Sequence, residues 1–303
     1  MRRANETHVS FGMGQFIALP NAIGNRSLQD VEENAHHKDE NGMSFYLLDH
    51  VAVEESGTGS PVVCVHGLGG SSNTWTAMHP SLDAHRFVRM DLPGSGRSAL
   101  PSQGLSMDFL IECLQTICKR LGITQAQWMG HSMGTILLQH LAIAAPSLVK
   151  SMVLLGPLAE PPETARDPIR ARANKVKNGG LQGLQEVTEG LLNTAVSEHS
   201  KRHNPSAFAY VRESLMRQTP LGYAATCEVL SQARSADVER IHVPVLLITG
   251  DQDKVSPPEA VHTLGRRFAN AKTVVLTRCG HWTPIEKPHE CAREARAFLK
   301  RHA

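Results

Sequence analysis

No apolar run in this 303-residue chain approaches the ~18 residues that a membrane-spanning helix needs, which removes a helical span from consideration. Neither sign of charge dominates. With 31 Lys and Arg against 29 Asp and Glu, the balance gives no case for nucleic acid or an anionic membrane surface as the main partner. Six cysteines are too few for a disulfide framework at this length. Cys64 lies in an apolar strand-like run, and Cys113 and Cys118 lie in a helical pattern, so they read as small buried hydrophobes in a reducing compartment. The 16 histidines are scattered, and no pair of His or Cys has zinc-ligand spacing. His36 and His37, adjacent in a polar stretch, read as solvated. The start "MRRANETHVSFGMGQF" lacks a sustained apolar segment, so no secretory signal is expected, and Glu6 argues against a transit peptide. A soluble cytoplasmic protein is expected, and a homodimer stays open.

Residues 1–42 are polar and without periodicity, which predicts a flexible N-terminal arm. From Met43 the texture changes. "SFYLLDHVAVEE" reads as two strands, and "VVCVHG" and "FVRMD" as short strands buried on both faces. Leu110, Leu114, Ile117, Cys118 and Leu121 recur at helical spacing, with Gly122 as the stop. "AQWMGHS" is a strand, "MGTILLQHLAIAA" a helix ended by Pro146, and "SMVLLGP" the next strand. "VPVLLITGD" and "KTVVLTR" are further strands, separated by a helix over about 258–268. This alternation predicts an α/β fold, a mostly parallel sheet with helices on both faces. One stretch interrupts it. Residues 158–240 hold helical pattern and no convincing strand, which predicts a helical lid over the carboxyl edge of the sheet, the ligand-binding edge of open α/β folds. The core then comprises 43–157 and 241–303.

Within "QWMGHSMGT", Gly130, His131, Ser132, Met133 and Gly134 make a Gly-x-Ser-x-Gly pattern between strand and helix. Its physical logic is a sharp strained turn that lifts the serine hydroxyl out of the sheet, with small residues letting strand and helix close up. The following helix N-terminus aims its N–H groups at the same place. A serine hydroxyl needs a base, and the base needs an orienting acid. "GDQDKVSPPE", after one strand, offers Asp251 and Asp253. Asp253 is preferred because it lies farther into the loop, whereas Asp251 is expected to bond its own turn. "CGHWTPIEKP", after the next strand, offers His281. "VHGLGG" supplies the remaining part. The backbone N–H groups of Leu68 and Met133 are the expected oxyanion donors, each worth ~10²- to 10³-fold in rate.

"HGLGG", "DLPGSGRS", "GHSMG", "GDQD" and "GHW", taken in this order, resemble the motifs of the α/β-hydrolase superfamily, and the likeness runs from about residue 43 to the C-terminus. The lid segment "NGGLQGLQEVTEGLL" with "HNPSAFAYVRESLMRQTPLGYAATCEVL" resembles that of 3-oxoadipate enol-lactonases, though Asn193 and Thr194 stand where those lids usually carry a tryptophan-aromatic pair. The resemblance implies a carboxylic ester or lactone hydrolase with Ser132, His281 and Asp253 as its triad and a small-molecule substrate. No metal and no organic cofactor are implied. The same fold also hosts carbon–carbon bond (diketone) hydrolysis, lyase steps and non-catalytic small-molecule receptors.

Other residues have plainer readings. His66 is expected to fix the oxyanion loop, and His131 to point into the flank of the sheet. "DLPGSGRS" lacks the lysine of a phosphate loop, so its glycines shape a turn with Asp91 and Arg97 as structural partners. Arg166, Arg170, Arg172, Lys175 and Lys177 read as a solvated helix face, the rival reading being a clamp for a substrate carboxylate. Trp282 and Met133 are candidates for an acyl pocket.

Overall fold

In the computed structural model, which describes residues 42–303, the chain enters the sheet through a hairpin. β1 (Ser44–Leu48) and β2 (Val51–Ser56) pair antiparallel with Leu48 opposite Val51. Asp49 and His50 between them both take positive φ, 47° and 69°, the backbone of the two-residue turn whose twist matches that of the strands. Six more strands follow: β3 (Pro61–Val65), β4 (Arg86–Met90), β5 (Ala126–His131), β6 (Val149–Leu155), β7 (Val245–Gly250) and β8 (Ala271–Leu276). They form one sheet in the order β1-β2-β4-β3-β5-β6-β7-β8, antiparallel at β1-β2 and β2-β4 and parallel from β4 onward.

The apolar runs of the central strands serve both faces at once. Val63 and Val65 of β3 join a core with Trp128, Leu154 and Leu247. Val62 and Cys64, their alternates, join a second core with Met129, Val153, Leu246 and Ile248 on the other side. A period of two with no polar partner is what a doubly covered strand requires. The first core is covered by α1 (Met107–Arg120) and α2 (Met133–Ala144). α1 starts on a Ser106 cap and stops at Gly122, which takes φ +66°.

Between β6 and β7 stand four helices and no strand: α3 (Glu163–Ala195), α4 (Glu198–His203), α5 (Pro205–Met216) and α6 (Pro220–Gln232). This is the helical insertion expected there. α3 is folded back on itself at Gly180, whose φ of 56° and ψ of −134° belong to no helix and suit a residue without a side chain. The two arms lie close. A Cβ on Gly183 would stand 2.4 Å from the Lys175 carbonyl oxygen. After β7 come α7 (Pro258–Arg267), then α8 (Thr283–Glu286) and α9 (Pro288–Arg301) following β8. Residue 42 is the only part of the expected arm among the described residues; His36, His37 and the rest of 1–42 lie outside them. No described helix is long and apolar enough to cross a membrane. All six cysteines are free, and only Cys113 is not fully buried.

Candidate active site

Ser132 sits between β5 and α2 with φ 51° and ψ −120°, a strained conformation for a residue with a Cβ. The surroundings hold it there. Its N–H donates to the Leu155 carbonyl at 2.9 Å, and its carbonyl accepts from the Thr135 N–H at 2.8 Å and from the Thr135 hydroxyl at 2.6 Å. Gly134 makes the bend sterically feasible, because a Cβ there would lie 2.3 Å from the Val65 carbonyl oxygen of β3.

The loops after β7 and β8 bring two partners to the hydroxyl. His281 Nε2 lies 2.8 Å from Ser132 Oγ, and His281 Nδ1 lies 2.9 Å from Asp253 Oδ2. All three residues are buried. Asp253 is held by its own loop as well, Oδ1 accepting from the N–H groups of Val255 at 2.8 Å and Ser256 at 2.7 Å. Burial alone would raise its carboxyl pKa. The facing imidazole and these N–H groups outweigh that and hold it below the usual carboxylate value. An ionised Asp253 accepts a hydrogen bond from Nδ1–H, which leaves Nε2 as the acceptor facing the serine.

Asp251 has another use. Its Oδ1 accepts from the Cys279 N–H at 3.1 Å, so it bonds the neighbouring loop that carries His281 rather than its own turn. The two loops lie side by side, so a donor of the next loop reaches Asp251 where local turn chemistry alone would point to its own.

His66 Nδ1–H donates to the Gly67 carbonyl at 2.7 Å, and Nε2 accepts from the Leu92 N–H at 2.8 Å. Burial keeps this ring neutral by lowering its pKa. Asp91 accepts from the Ser72 N–H at 2.7 Å and pairs with Arg97 Nε at 2.8 Å, tying the same loop from below. From above it is tied by the insertion. Ser214 Oγ–H donates to the Gly69 carbonyl at 2.8 Å, and the Gln218 amide donates to the Gly69 and Gly70 carbonyls at 3.3 and 3.1 Å while accepting from the Gly96 N–H at 3.2 Å. No sequence motif marks Ser214 or Gln218. Ser214 is a polar residue on the buried face of α5, and Gln218 lies in the bend that follows that helix.

A cavity of about 540 Å³ opens over Ser132 and His281, with walls that are mostly apolar. Leu68 and Trp282 line it, together with Ile169, Val187, Leu191 and Leu215 from the insertion. Met133 is fully buried and is not part of the lining; its side chain packs into the core, because the first residue of α2 turns down from the bend. His131 is also fully buried, its Nε2–H donating to the His281 carbonyl at 2.9 Å. Burial and then the neighbouring His281 push its pKa down to about 3.

The basic segment of α3 does not behave as one face. Arg170 and Lys177 are exposed, as a solvated face requires. Lys175 is exposed too, but it also lines the cavity mouth beside the half-buried Arg172 and pairs with Glu186 across the fold in α3. Arg166 is buried and donates to the carbonyls of Ser231 and Ala233 at 2.7 and 2.9 Å and to Glu160 at 2.7 Å. A residue pattern cannot show that the two ends of the insertion meet around it.

A family profile described as an alpha/beta hydrolase fold matches residues 60–288. A 2-hydroxy-6-oxo-6-(2'-aminophenyl)hexa-2,4-dienoic acid hydrolase from Metapseudomonas resinovorans is 26% identical over 259 residues, covering 82% of this chain and 87% of the relative. A thermophilic esterase from Thermogutta terrifontis, solved with malate bound, matches with a TM-score of 0.79 at 24% identity, covering 88% of this chain and 97% of that one. An enol-lactonase from Burkholderia xenovorans matches with a TM-score of 0.76 at 22% identity, over 84% and 99% of the two chains. At these identities the two solved structures speak to the fold.

Proposed function

The chain belongs to the alpha/beta-hydrolase fold family, and from that premise we propose that it is a serine hydrolase cleaving a small ester or lactone through an acyl-enzyme intermediate. The observation that carries the reading is the unbroken chain from Ser132 Oγ through His281 to Asp253, 2.8 and 2.9 Å long in its two links, at the floor of an apolar cavity. Ser132 Oγ attacks the substrate carbonyl as its proton passes to His281 Nε2. Asp253 stabilises the resulting imidazolium. The negative oxygen of the tetrahedral intermediate is held by the backbone N–H groups of Leu68 and Met133. Met133 is the first residue of α2, where an N–H has no partner within the helix. Collapse breaks the bond to the leaving oxygen, which takes the proton from His281. Water then attacks the acyl-enzyme with His281 as base, releasing the acid and restoring Ser132.

Hydrolysis of a carbon–carbon bond in a diketone is the second reading, favoured by the similarity to the Metapseudomonas hydrolase, which acts on a 6-oxo dienoic acid. One panel separates the two. Wild type and Ser132→Ala are assayed on lactones, on short and medium p-nitrophenyl esters and on a diketone, with fluorophosphonate labelling in parallel. Multiple turnovers of an ester or lactone, lost in Ser132→Ala, support the first reading. Turnover of the diketone alone supports the second. Folded wild-type protein that takes no label at Ser132 sinks both.

A further inference from the structure

Glu286, in the short helix α8, is buried at 4% exposure. Among the described residues no ion pair compensates its charge; the adjacent Lys287 pairs with Glu290 instead. A carboxylate out of water without a counter-charge is costly unless hydrogen bonds take up the charge. Three backbone N–H groups do so. Ser197 and Gly280 donate to Oε2 at 2.9 and 3.1 Å, and Trp282 donates to Oε1 at 3.2 Å. Two of these donors flank His281 in sequence, and the third lies just past the end of α3. The His281 N–H itself donates to the Ala195 carbonyl, the last residue of α3, at 2.8 Å. The approach leaves no space. A Cβ on Gly280 would lie 2.6 Å from the Ser197 nitrogen and 2.7 Å from both the Ala195 oxygen and Glu286 Oε1.

We infer that Glu286 is a positioning residue that fixes the backbone on both sides of His281 against the end of α3, so that the reach of the imidazole to Ser132 depends on how the insertion is seated. The inference rests on the reading of His281 as the general base. Glutamine cannot take over the role, because its NH₂ group would face N–H donors and only one oxygen would remain to accept. A staple that served stability alone would lower Tm and leave kcat where it was. A positioning residue moves kcat, since a displacement of about 1 Å costs up to ~10²-fold.

The experiment uses the full chain as wild type, Glu286→Gln and Glu286→Asp. It measures kcat and KM on p-nitrophenyl acetate, the rate of fluorophosphonate labelling of Ser132, Tm, and the downfield proton resonance of the His281 Nδ1–H. In Glu286→Gln, kcat is expected to fall by about 10- to 100-fold with little change in KM. Labelling should slow by the same factor, and the resonance should shift or broaden in protein that melts cooperatively. Glu286→Asp, which keeps the charge but falls short by one methylene, should recover part of kcat. Wild-type kcat and labelling rate in Glu286→Gln, whatever its Tm, overturn the inference. If that variant does not fold, Glu286→Asp decides alone, with reduced kcat at unchanged KM supporting the inference and wild-type kcat overturning it. An unlabelled wild type would sink the serine-hydrolase reading itself, whereas a labelled, active wild type beside an unaffected Glu286→Gln sinks only the positioning role.

Discussion

The sheet and the insertion meet the cavity over Ser132 in different ways. The sheet presents its residues through local geometry. Ser132 stands on a bend made by its own neighbours, and Asp253 is held by the N–H groups of residues two and three positions on. The insertion acts over long sequence distances. Ser214 and Gln218 reach the Gly69–Gly70 carbonyls nearly 150 residues away, and Ala195 and Ser197 grip the loop of His281 some 85 residues on. A lid that merely covered the site would need none of these bonds. Here the insertion is part of the frame that holds both the Gly69–Gly70 loop and the loop of His281.

The comparison breaks most visibly at the serine. Ser132→Ala removes the proposed nucleophile from a bend that other residues maintain, so turnover should fall by roughly 10⁴-fold or more while Tm barely moves. A large loss of Tm would mean that the bend depends on the hydroxyl. Next in size is Gln218→Leu, which acts from the insertion. It removes the amide bonds to the Gly69 and Gly70 carbonyls, leaving Gly69 to Ser214 alone, and loosens the loop carrying Leu68, so kcat/KM is expected to drop by about 10- to 100-fold. Unchanged kinetics in that variant would return the lid to a passive cover.

Arg166→Met sharpens the contrast from the other side, since Arg166 binds the two ends of the insertion together away from Ser132. Losing its charged hydrogen bonds should cost about 2–3 kcal/mol, seen as a Tm lower by several degrees, with kcat little changed. The smallest effect concerns pH. His131 is neutral in the fold, with its pKa pushed down to about 3, whereas it is ~6.5 in the unfolded chain. The unfolded chain therefore binds more protons between these values. The stability His131 gives is complete above ~6.5, and each pH unit below that removes about 1.4 kcal/mol. Urea midpoints at pH 7 and pH 5 should show a shallower pH dependence in His131→Gln than in wild type.

The same division explains what could be read in the chain beforehand. Strands buried on both faces announce themselves as unbroken apolar runs, and the order of parallel strands with intervening helices follows from alternation. Ser132, Asp253 and His281 were legible as candidates because each follows a strand in a short glycine-containing motif. Glu286 and Gln218 were not. Each is an ordinary polar residue whose partners come from remote loops, and "IEKP" and "RQTP" read like exposed turns. Arg166 has the helical spacing of a solvated face but is buried between the two ends of the insertion. Helical periodicity places a residue on a face but does not say what the face meets.

The fold in α3 has a consequence for how the cavity could change. Ala165, Pro168, Ile169 and Arg172 line it from one helical arm and Val187, Gly190, Leu191 and Thr194 from the other, the two arms of α3 meeting at Gly180. The two arms thus meet at one residue's pair of backbone dihedrals, like the joint of a pair of tongs. Altering that joint would shift the lining of both arms together, whereas altering any lining side chain would only resculpt the chamber locally.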